Sequence, residues 1–575
     1  MRLYNLHIKN FRKIENLTVT FPRGLSVIIG ENNAGKTTII DALRLMLFSS
    51  RDFDALRINE DDFRQGTGNV PIEISCTFCD LNDDEEVCFH ECLVDIGNGK
   101  FEVKLNARAE FNSITRRANV KMWGGETEGG SLSANFYDRL TSIYLQPLRD
   151  PESGLKPGRY SQISRLIDSL TEENKHVEFE TIAKEANNKI RDLKSVKDAK
   201  ADIDNQMTSI AGGELTQKTE LIFSDPTFHK IIAGLQPEIE GLPFSLNGLG
   251  YNNLVFTAAT LGTLKRSDRY FYRSILVEEP EAHLHPQLQV LLLRHFVKVS
   301  SEDGVQVIVS SHSPILASQA PIDSIISVHE IHGRVSAVSI CLINFDQVLK
   351  MKLQRFLDAT RAELFFARKI LMVEGIAEAL LLPALARICG GCLKESAITV
   401  LNTDGINFNA FLPLFGTDCL NLPVVVLTDG DDVEKTGAPS ITASELKRKE
   451  SEIPNLRVEL SRITFEHELA CSPKLLPFML DAFESLYPRN GKMLRNTIAS
   501  IGSDEQKADT FLTEFLRNNT SKGQFAQELA GLLEMANDLT ANVIPQYIRN
   551  AFLYLGVTKN EELNGRYREA TSTNP

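Results

Sequence analysis

The sequence predicts an α/β protein made of two successive domains, each with a sheet of mostly parallel strands. In the first half, residues 25–29 form a continuous apolar run, typical of a strand buried on both faces, and a helical pattern follows at residues 38–48. In the second half, apolar strands near residues 370–373, 398–401 and 424–428 alternate with helical segments. This alternation indicates a Rossmann-like arrangement of parallel strands and covering helices.

Length, composition and charge agree with a large protein of the cytoplasm. The 575 residues exceed what one core can organise and predict about two to four domains. No apolar run of about 18 residues occurs, and the chain starts in a strand pattern with no signal peptide, so we expect a cytoplasmic protein without membrane contact. The net charge of −14 argues against non-specific coating of nucleic acid but leaves room for a local basic groove.

The nine cysteines favour reduced thiols over a disulfide framework, because their number is odd and they are widely scattered. Cys76 and Cys79 form a CxxC pair that is followed by Cys88, His90 and Cys92, which raises a zinc site as an alternative. However, the pair lies in an alternating strand pattern, where residues three apart face opposite sides. We therefore favour buried thiols at these positions.

We place the first domain at residues 1–345. Its first strand is predicted at residues 3–9, and a hairpin is predicted around Gly333. Three alternating segments indicate an antiparallel side-sheet, near residues 70–79, 101–110 and 118–123. Two further buried strands are predicted at residues 274–277 and 305–309.

A helical segment interrupts this domain, and a second domain follows it. Residues 160–212 carry an amphipathic helical stripe, which fits either a surface hairpin or a dimerisation arm, and we place the whole insert at residues 155–235. The second domain is placed at residues 346–575. We expect it to open with one basic-faced helix over residues 346–369 and to end in a mostly helical region, residues 505–555.

A complete Walker A pattern, Gly-Glu-Asn-Asn-Ala-Gly-Lys-Thr-Thr, spans residues 30–38 between the first buried strand and its helix. In that context the backbone N–H groups of the loop and the helix N-terminus surround a phosphate. Lys36 is expected to reach the β- and γ-phosphates of ATP, and Thr37 is expected to bind Mg²⁺. The predicted ATP contacts come from Asn32, Asn33, Gly35, Lys36, Thr37 and Thr38.

Three further segments complete the predicted ATPase set. The apolar strand before Glu278 and Glu279 has the shape of a Walker B motif, in which Glu278 holds Mg²⁺ through water and Glu279 acts on the attacking water. His312, just past the strand at residues 305–309, fits a switch histidine of ABC-type ATPases. Gln146 is a weaker candidate for their Q-loop.

Residues 246–254 contain two glycines just before a helical pattern. The segment resembles the ABC signature only loosely, since it lacks Ser-Gly-Gly-Gln, and a simple glycine-rich helix start is the alternative. In ABC-type ATPases this element completes the nucleotide site of the opposite subunit. If the assignment holds, ATP turnover requires a homodimer or a higher oligomer.

Acidic residues end two predicted parallel strands of the second domain. Glu374 follows one strand, and Asp429-Gly-Asp431 follows another. Because the carboxyl ends of parallel strands meet at one sheet edge, we expect these carboxylates to lie together. Such a cluster is costly unless cations neutralise it, and oxygen ligands favour Mg²⁺ or Mn²⁺. Two ions about 4 Å apart can activate a water and stabilise the leaving oxygen of a phosphodiester.

Three other charged residues are weaker candidates for the same site. Glu466 and Glu468 follow a strand-like stretch and fit either a second metal position or a solvated acidic turn. Lys522 begins a helical pattern and fits either a cation that stabilises the transition-state phosphate or a solvated lysine.

Taken in order, the motifs resemble the OLD (overcoming lysogenization defect) family, which is related to the Gabija and retron-associated nucleases. The resemblance rests on the Walker A loop, Glu-Glu-Pro-Glu-Ala-His-Leu-His-Pro at residues 278–286, Ser-Ser-His-Ser-Pro at residues 310–314, Val-Glu-Gly at residues 373–375, Thr-Asp-Gly-Asp at residues 428–431, and Lys-Gly-x-Phe-Ala at residues 522–526. It implies an ABC-type ATPase domain with a helical dimerisation insert, followed by a C-terminal Toprim nuclease domain.

The resemblance also implies a function and its residues. The expected activity is an ATP-controlled, metal-dependent DNA endonuclease serving anti-phage defence, with DNA, a second copy of the chain and possible defence-system proteins or nucleic acids as partners. Metal-site roles are implied for Glu374, Glu378, Asp429, Asp431 and Glu468, and Lys522 is implied as a catalytic cation. Glu466 is a weaker candidate, because the family varies there.

Two alternatives belong to other functional classes. One is a RecF/SMC-like DNA-repair ATPase clamp whose second domain has no nuclease activity. The other is a topoisomerase or primase, since those enzymes also use Toprim domains. The chain leaves little room for a topoisomerase gate domain after Asp429, and a primase normally carries a zinc module.

Overall fold

The structure is a computed structural model. It describes residues 1–49, 55–64, 70–129, 132, 136–147, 154–158, 161–212, 215, 217–222, 225–264, 270–302, 304–331, 333–358, 360–432 and 435–557. The chain forms two compact units. The first comprises Met1–Arg12, Arg23–Ser26 and Thr37–Ser311, and the second comprises Lys13–Pro22, Val27–Lys36 and His312–Pro575. These units are interleaved along the chain, whereas the predicted domains are consecutive, so the predicted limit between residues 345 and 346 stays a prediction.

The strands of the described residues are, in chain order, β1 (Arg2–Phe11), β2 (Ile14–Thr20), β3 (Leu25–Ile29), β4 (Ile72–Cys79), β5 (Leu93–Gly97), β6 (Lys100–Asn112), β7 (Arg117–Gly124), β8 (Leu140–Leu145), β9 (Glu238–Ile239), β10 (Leu242–Pro243), β11 (Tyr272–Glu278), β12 (Gln306–Ser311), β13 (Ile325–Ile331), β14 (Arg334–Ser339), β15 (Lys369–Val373), β16 (Ile398–Asn402), β17 (Val424–Thr428) and β18 (Leu456–Leu460).

The α-helices are α1 (Lys36–Leu47), α2 (Asp83–Cys88), α3 (Gln162–Leu170), α4 (His176–Arg191), α5 (Lys194–Ala211), α6 (Phe228–Ala233), α7 (Leu249–Leu264), α8 (Pro286–Glu302), α9 (Pro314–Gln319), α10 (Gln347–Phe356), α11 (Ile376–Ile388), α12 (Ile441–Glu452), α13 (Phe465–Ala470), α14 (Leu476–Leu486), α15 (Pro488–Ala499), α16 (Asp504–Arg517), α17 (Lys522–Met535) and α18 (Gln546–Leu555). In the described part of the chain, none of the helices has the length and apolar character that a bilayer crossing needs.

The first unit contains the predicted antiparallel side-sheet. Strands β1, β4, β6 and β5 lie side by side in that order, and β7 pairs with β6. Burial alternates along β4, so that Cys76 faces the core while Cys79 is partly exposed. The two thiols therefore lie on opposite faces of the strand, as its two-residue period requires.

The same unit holds a parallel set and a helical segment. Strand β11 lies between β8 and β12 and runs parallel to both, which confirms the two predicted buried strands. The predicted helical segment consists of three helices, α3 to α5, and α4 and α5 are joined directly through Asp192 and Leu193.

In the second unit, β13 pairs in parallel with residues 27–29 of β3 and antiparallel with β14. This pairing confirms the hairpin predicted around Gly333. A separate four-stranded sheet follows, in the order β16-β15-β17-β18, with all strands parallel. Helices α11 and α13 to α18 contribute side chains to the large apolar core of this sheet. The predicted Rossmann-like pattern is thereby confirmed.

The prediction of one helix over residues 346–369 is wrong. Helix α10 ends at Phe356, and a separate 3-10 helix spans Arg361–Phe366. Asp358 explains the break, because its carboxylate accepts the backbone N–H of Arg361 at 2.8 Å and so offers the chain a turn in place of a helix. The Arg361 side chain also donates to the carbonyl oxygens of Phe356 and Asn402, so it does not belong to a solvated basic face.

Candidate functional site

The Walker A loop of the second unit already holds its lysine in place. The buried Lys36 ammonium donates to the carbonyl oxygens of Gly30 and Glu31, both at 2.7 Å. Gly30 has φ +154°, and a Cβ there would lie 2.1 Å from the carbonyl oxygen of Val328, so only glycine fits. Asn33 is exposed and adopts φ +64°. The loop therefore has the tight turn and the central cation of a phosphate-binding loop.

In the first unit, Glu278 ends β11 and is 3% exposed. Its Oε1 atom has no hydrogen-bond partner within the described residues. Burial raises the pKa of Glu278 to about 8, with further contributions from Asp41 and Glu279. A buried carboxylate oxygen without a partner fits a group that contacts a cation or its water shell, because burying the charge is costly and a cation offsets that cost.

The structure places the other nucleotide candidates at the ends of their elements. Gln146 is exposed just past β8, and His312 is exposed just past β12. Thr37 is exposed and Thr38 is buried in the first turn of α1, while Asn32 is exposed in the loop. The backbone N–H of Glu279 donates to Ser310 at 2.9 Å.

A second candidate site lies at the carboxyl edge of the four-stranded sheet, within the second unit. Strands β15 and β17 are neighbours, and Glu374 and Asp429 directly follow them. The Glu374 Oε1 atom accepts the backbone N–H of Asp429 at 2.9 Å and also the hydroxyl of Thr428. The structure therefore brings together the two acids that parallel strand ends predicted.

The electrostatics of this edge disfavour an uncompensated set of negative charges. The pKa of Asp429 is raised to about 8, mainly by burial and further by the charges of Glu374 and Glu466, against the opposing effect of Lys522. Burial also raises the pKa of Glu378, again with Glu466 and Glu374 contributing. Bound divalent cations would remove this penalty, since they favour the ionised carboxylates.

Glu466 and Lys522 belong to the same cluster. Glu466 is buried in α13, and the Lys522 ammonium at the start of α17 lies 3.1 Å from its Oε1 and 3.3 Å from its Oε2. Burial alone would lower the pKa of Lys522, but Glu466, Asp429 and Glu378 outweigh burial and raise it. The lysine therefore stays charged beside the acids.

Two of the acids predicted for this site, Glu468 and Asp431, have surroundings that differ from those of Glu374 and Asp429. Glu468 accepts the Arg462 side chain at 2.9 Å and the Arg462 backbone N–H at 3.2 Å, so its carboxylate is held by an arginine. Asp431 is exposed, with φ +53°, and its backbone N–H donates to Ile463. Neither carboxylate is among the main charges that shift the pKa of Asp429.

The sequence pattern did not single out two hydroxyls that hold the acids. Thr428 donates to Glu374, and Ser461 donates to the Asp429 Oδ1 atom at 3.1 Å. Thr428 is the residue before the first acid of the Thr-Asp-Gly-Asp motif, which is the one signal that pointed to it. Hydrogen bonds of this kind orient carboxylates for metal binding.

The fit of this edge to divalent cations rests on its donors. Among the described residues, no three acidic, histidine or cysteine side chains converge tightly enough to enclose an ion as they stand. Carboxylate oxygens are nevertheless the ligands that Mg²⁺ and Mn²⁺ prefer, and burial together with neighbouring carboxylates raises the pKa values of Asp429 and Glu378 despite the opposing charge of Lys522. The donor set fits such cations once side chains rotate toward them.

Two family models match the chain. The AAA ATPase domain model matches residues 1–128 and 132–317, which is more than half of the chain. The model described as the TOPRIM domain of overcoming lysogenization defect protein-like sequences matches residues 365–431, which include β15, β17, Glu374 and Asp429.

Curated relatives match most of the chain. An OLD nuclease of Thermus scotoductus is 26% identical over 450 residues, covering 75% of this chain and 82% of the relative. The Old nuclease of Escherichia phage P2 is 24% identical, covering 82% and 86%. The endonuclease GajA of Bacillus cereus strain VD045 is 22% identical, covering 77% of each.

Solved structures match parts of the chain. The C-terminal region of the Burkholderia pseudomallei OLD protein is 28% identical, with a TM-score of 0.27, and covers 33% of this chain and 97% of that one. An Smc head bound to the C-terminal winged-helix domain of ScpA is 19% identical, with a TM-score of 0.36, and covers 61% of this chain and all of that one.

Proposed function

Because this chain belongs to the AAA ATPase domain family and carries behind that domain the Toprim domain of the OLD proteins, we propose that it is an ATP-binding, divalent-metal-dependent DNA endonuclease of the OLD type. The observation that carries the proposal is that Glu374 and Asp429 are hydrogen-bonded neighbours at one edge of the sheet. The charges of Glu378, Glu466 and Lys522 shift the pKa of Asp429 at the same edge. Relatives that match most of the chain are named nucleases, which supports the same activity.

In this proposal the acids and the lysine have different roles. Glu374, Glu378, Asp429 and Glu466 hold divalent cations, which when bound activate a water and stabilise the leaving oxygen of a phosphodiester. Lys522 contributes a fixed positive charge for the negative charge that develops on the phosphate. Thr428 and Ser461 each donate to one of these carboxylates, so they fix its orientation before the cation arrives.

The ATPase half is proposed to act as a switch. Lys36 would pair with the β- and γ-phosphates of bound ATP, Glu278 would hold Mg²⁺, and Glu279 would act on the attacking water. We place this domain at residues 1–345 and the Toprim domain at residues 346–575. Control by ATP would then appear as a difference in cleavage with and without the nucleotide.

The deciding experiment incubates supercoiled plasmid with the protein and Mg²⁺ or Mn²⁺, with and without ATP. Nicked or linear product that disappears with EDTA is the expected result. A protein that binds ATP but leaves the plasmid intact under every metal condition would instead fit a clamp of the RecF/SMC type.

Replacing Glu466 by glutamine should lower the metal-dependent cleavage rate by about 10- to 100-fold. Glu466 is buried beside Lys522, so the change removes a carboxylate from the acidic cluster and the partner of the lysine. Initial rates of plasmid nicking at saturating Mn²⁺ measure the effect.

Glu468→Gln is the matched control two residues along the same helix. Its carboxylate is already paired with Arg462, so its removal should lower the rate less than the removal of Glu466 does. A larger loss in Glu468→Gln than in Glu466→Gln would reverse the proposed roles of the two acids.

We propose a homodimer that forms through helices α4 and α5. Apolar side chains of these two helices face solvent, including Ile182 at 68% and Ile210 at 80% exposure. Exposed apolar residues grouped on one helical pair are typical of an interaction surface. Light scattering should give the mass of at least a dimer for wild type.

The double variant Ile182→Asp/Ile210→Asp should shift that mass to a monomer, because two buried charges would oppose association. Ile96→Asp, at another exposed apolar position, is the control and should stay dimeric. A monomeric wild type, with and without ATP, would exclude the dimer.

We place the activity in anti-phage defence, on the strength of the resemblance to OLD and Gabija nucleases. Plaque counts on cells expressing wild type and Asp429→Asn test this setting, and equal counts would exclude it.

A further inference from the structure

Helix α18 runs antiparallel to the strands of the four-stranded sheet. It packs on β17 and β18, and the carbonyl oxygen of its last residue, Leu555, accepts the ammonium of Lys369, the first residue of β15, at 2.6 Å. The Tyr554 hydroxyl donates to the Asn455 carbonyl, just before β18 begins. The end of the helix therefore lies at the starts of the strands.

Because α18 runs antiparallel to the strands, its first residues lie near the edge of the sheet that carries the acids. Asn550, about one turn before Tyr554, donates to Glu459 near the end of β18 at 3.1 Å. Tyr547 lies about one further turn toward the start of α18, which places it level with the strand ends that carry Glu374 and Asp429.

Tyr547 brings an unused hydrogen-bond donor to that edge. Its hydroxyl is buried and has no hydrogen-bond partner within the described residues. Burial raises the pKa of Tyr547, and the charges of Asp429, Glu468, Glu378 and Glu466 raise it further, so the hydroxyl keeps its proton. Buried polar groups without a partner are rare in native proteins, so this hydroxyl needs an explanation, and a partner that comes into reach when a cation binds is one.

Asp429 offers the matching acceptor. Its Oδ1 atom accepts Ser461, whereas its second oxygen receives no hydrogen bond from the described residues. We propose that Tyr547 is a positioning residue of the carboxylate edge, whose hydroxyl donates to the ionised Asp429 carboxylate when that carboxylate holds a divalent cation. The inference rests on the proposed metal site, and it adds a residue from the last helix of the described chain to that site.

A Tyr547→Phe variant isolates the hydroxyl, because it keeps the ring in the apolar core. The hydroxyl has no partner in the metal-free protein, so its removal should leave the metal-free melting temperature unchanged or higher. Loss of a group that orients a metal ligand should raise the Mn²⁺ concentration at half-saturation by about 10- to 100-fold. Mn²⁺ binding is read by electron paramagnetic resonance of the free ion, and plasmid cleavage is measured in parallel.

Tyr554→Phe is the matched control on the same helix. It loses a hydrogen bond to a backbone carbonyl at the opposite end, so it should lower the melting temperature while leaving Mn²⁺ binding unchanged. Asp429→Asn shows how much Mn²⁺ binding remains when the site at this edge is lost.

The outcomes separate this inference from the proposed function. A wild type that binds Mn²⁺ but cuts no DNA, with weaker binding in Tyr547→Phe, would overturn the nuclease while supporting the positioning role. Wild-type Mn²⁺ binding and cleavage in Tyr547→Phe would overturn the positioning role and leave the nuclease standing. Equal Mn²⁺ binding by wild type and Asp429→Asn would overturn both.

Discussion

Asp429→Asn should abolish metal-dependent plasmid cleavage, with a fall in rate of about a thousandfold or more. Asp429 is the acid on which the cluster converges, because it is bonded through its backbone N–H to Glu374 and is acted on by Glu378, Glu466 and Lys522. Asparagine keeps the shape of the side chain but removes the charge that a cation needs. The rate of nicking at saturating Mg²⁺ or Mn²⁺ measures the effect.

Asp418→Asn is the charge-matched control, since Asp418 is exposed in another loop of the same unit. It should cut at the wild-type rate, and ATP hydrolysis should persist in both variants. Cleavage by Asp429→Asn at the rate of Asp418→Asn would remove this edge from the reaction.

Asp429→Asn should also change how the stability of the protein depends on pH. The pKa of Asp429 rises from 3.8 to about 8 in the folded, metal-free protein, mainly through burial. Between these values the folded state keeps a proton that the unfolded state has lost, so wild type loses stability as the pH rises through this window. Asparagine carries no such proton. The melting temperature of metal-free Asp429→Asn, measured relative to that of wild type, should therefore rise from about pH 4 to about pH 8. A difference in melting temperature that stays constant over this range would contradict the raised pKa.

Lys36→Ala should weaken ATP binding by about a hundredfold or more. The Lys36 ammonium is held at the centre of the Walker A loop by the carbonyl oxygens of Gly30 and Glu31, and a bound triphosphate would take over its hydrogen bonds. Each hydrogen bond to a charged group contributes about 1.5–3 kcal/mol, so the loss of two accounts for an effect of this size. Fluorescent-nucleotide titration measures the affinity.

Lys9→Ala provides the control, because Lys9 forms an exposed ion pair with Glu73 at 3.8 Å and contributes little there. Its ATP affinity should equal that of wild type. Unchanged affinity in Lys36→Ala would refute the Walker A assignment. Plasmid cleavage by Lys36→Ala, compared with wild type with and without ATP, then shows whether the nucleotide activates or inhibits the nuclease.

The sequence predicted those parts of the site that depend on backbone topology. Glu374 and Asp429 each end an apolar strand, and neighbouring parallel strands bring their carboxyl ends to one edge whatever the side chains do. The Walker A loop was predictable for the same reason, since its glycines and Lys36 stand between a buried strand and a helix.

Side-chain direction at the ends of short elements was not predictable. Glu466 and Glu468 are two residues apart in α13, so they point to different sides of the helix, and no pattern says which side faces the sheet edge. The structure turns Glu466 toward Lys522 and Glu468 toward Arg462.

The sequence also contained no sign of a functional role for Tyr547. Tyr547 occupies a core-facing position of α18, where its spacing is that of any buried aromatic residue. Its importance follows from the register between α18 and the sheet, which is a tertiary property. The single helix wrongly predicted over residues 346–369 failed for a local reason, because the turn at Asp358 competes with a helical pattern that the flanking residues support.

The spacing of Glu374 and Asp429 is set by hydrogen-bonded backbone, because their strands are direct neighbours in a parallel sheet. Adjacent strands lie about 4.8 Å apart, and no ligand is needed to keep them there. In a zinc finger, by contrast, the ion itself organises the chain, and a chelator unfolds it. At the proposed metal site the backbone would hold its shape without ions, so we expect that ions removed by a chelator can be replaced without refolding of the chain.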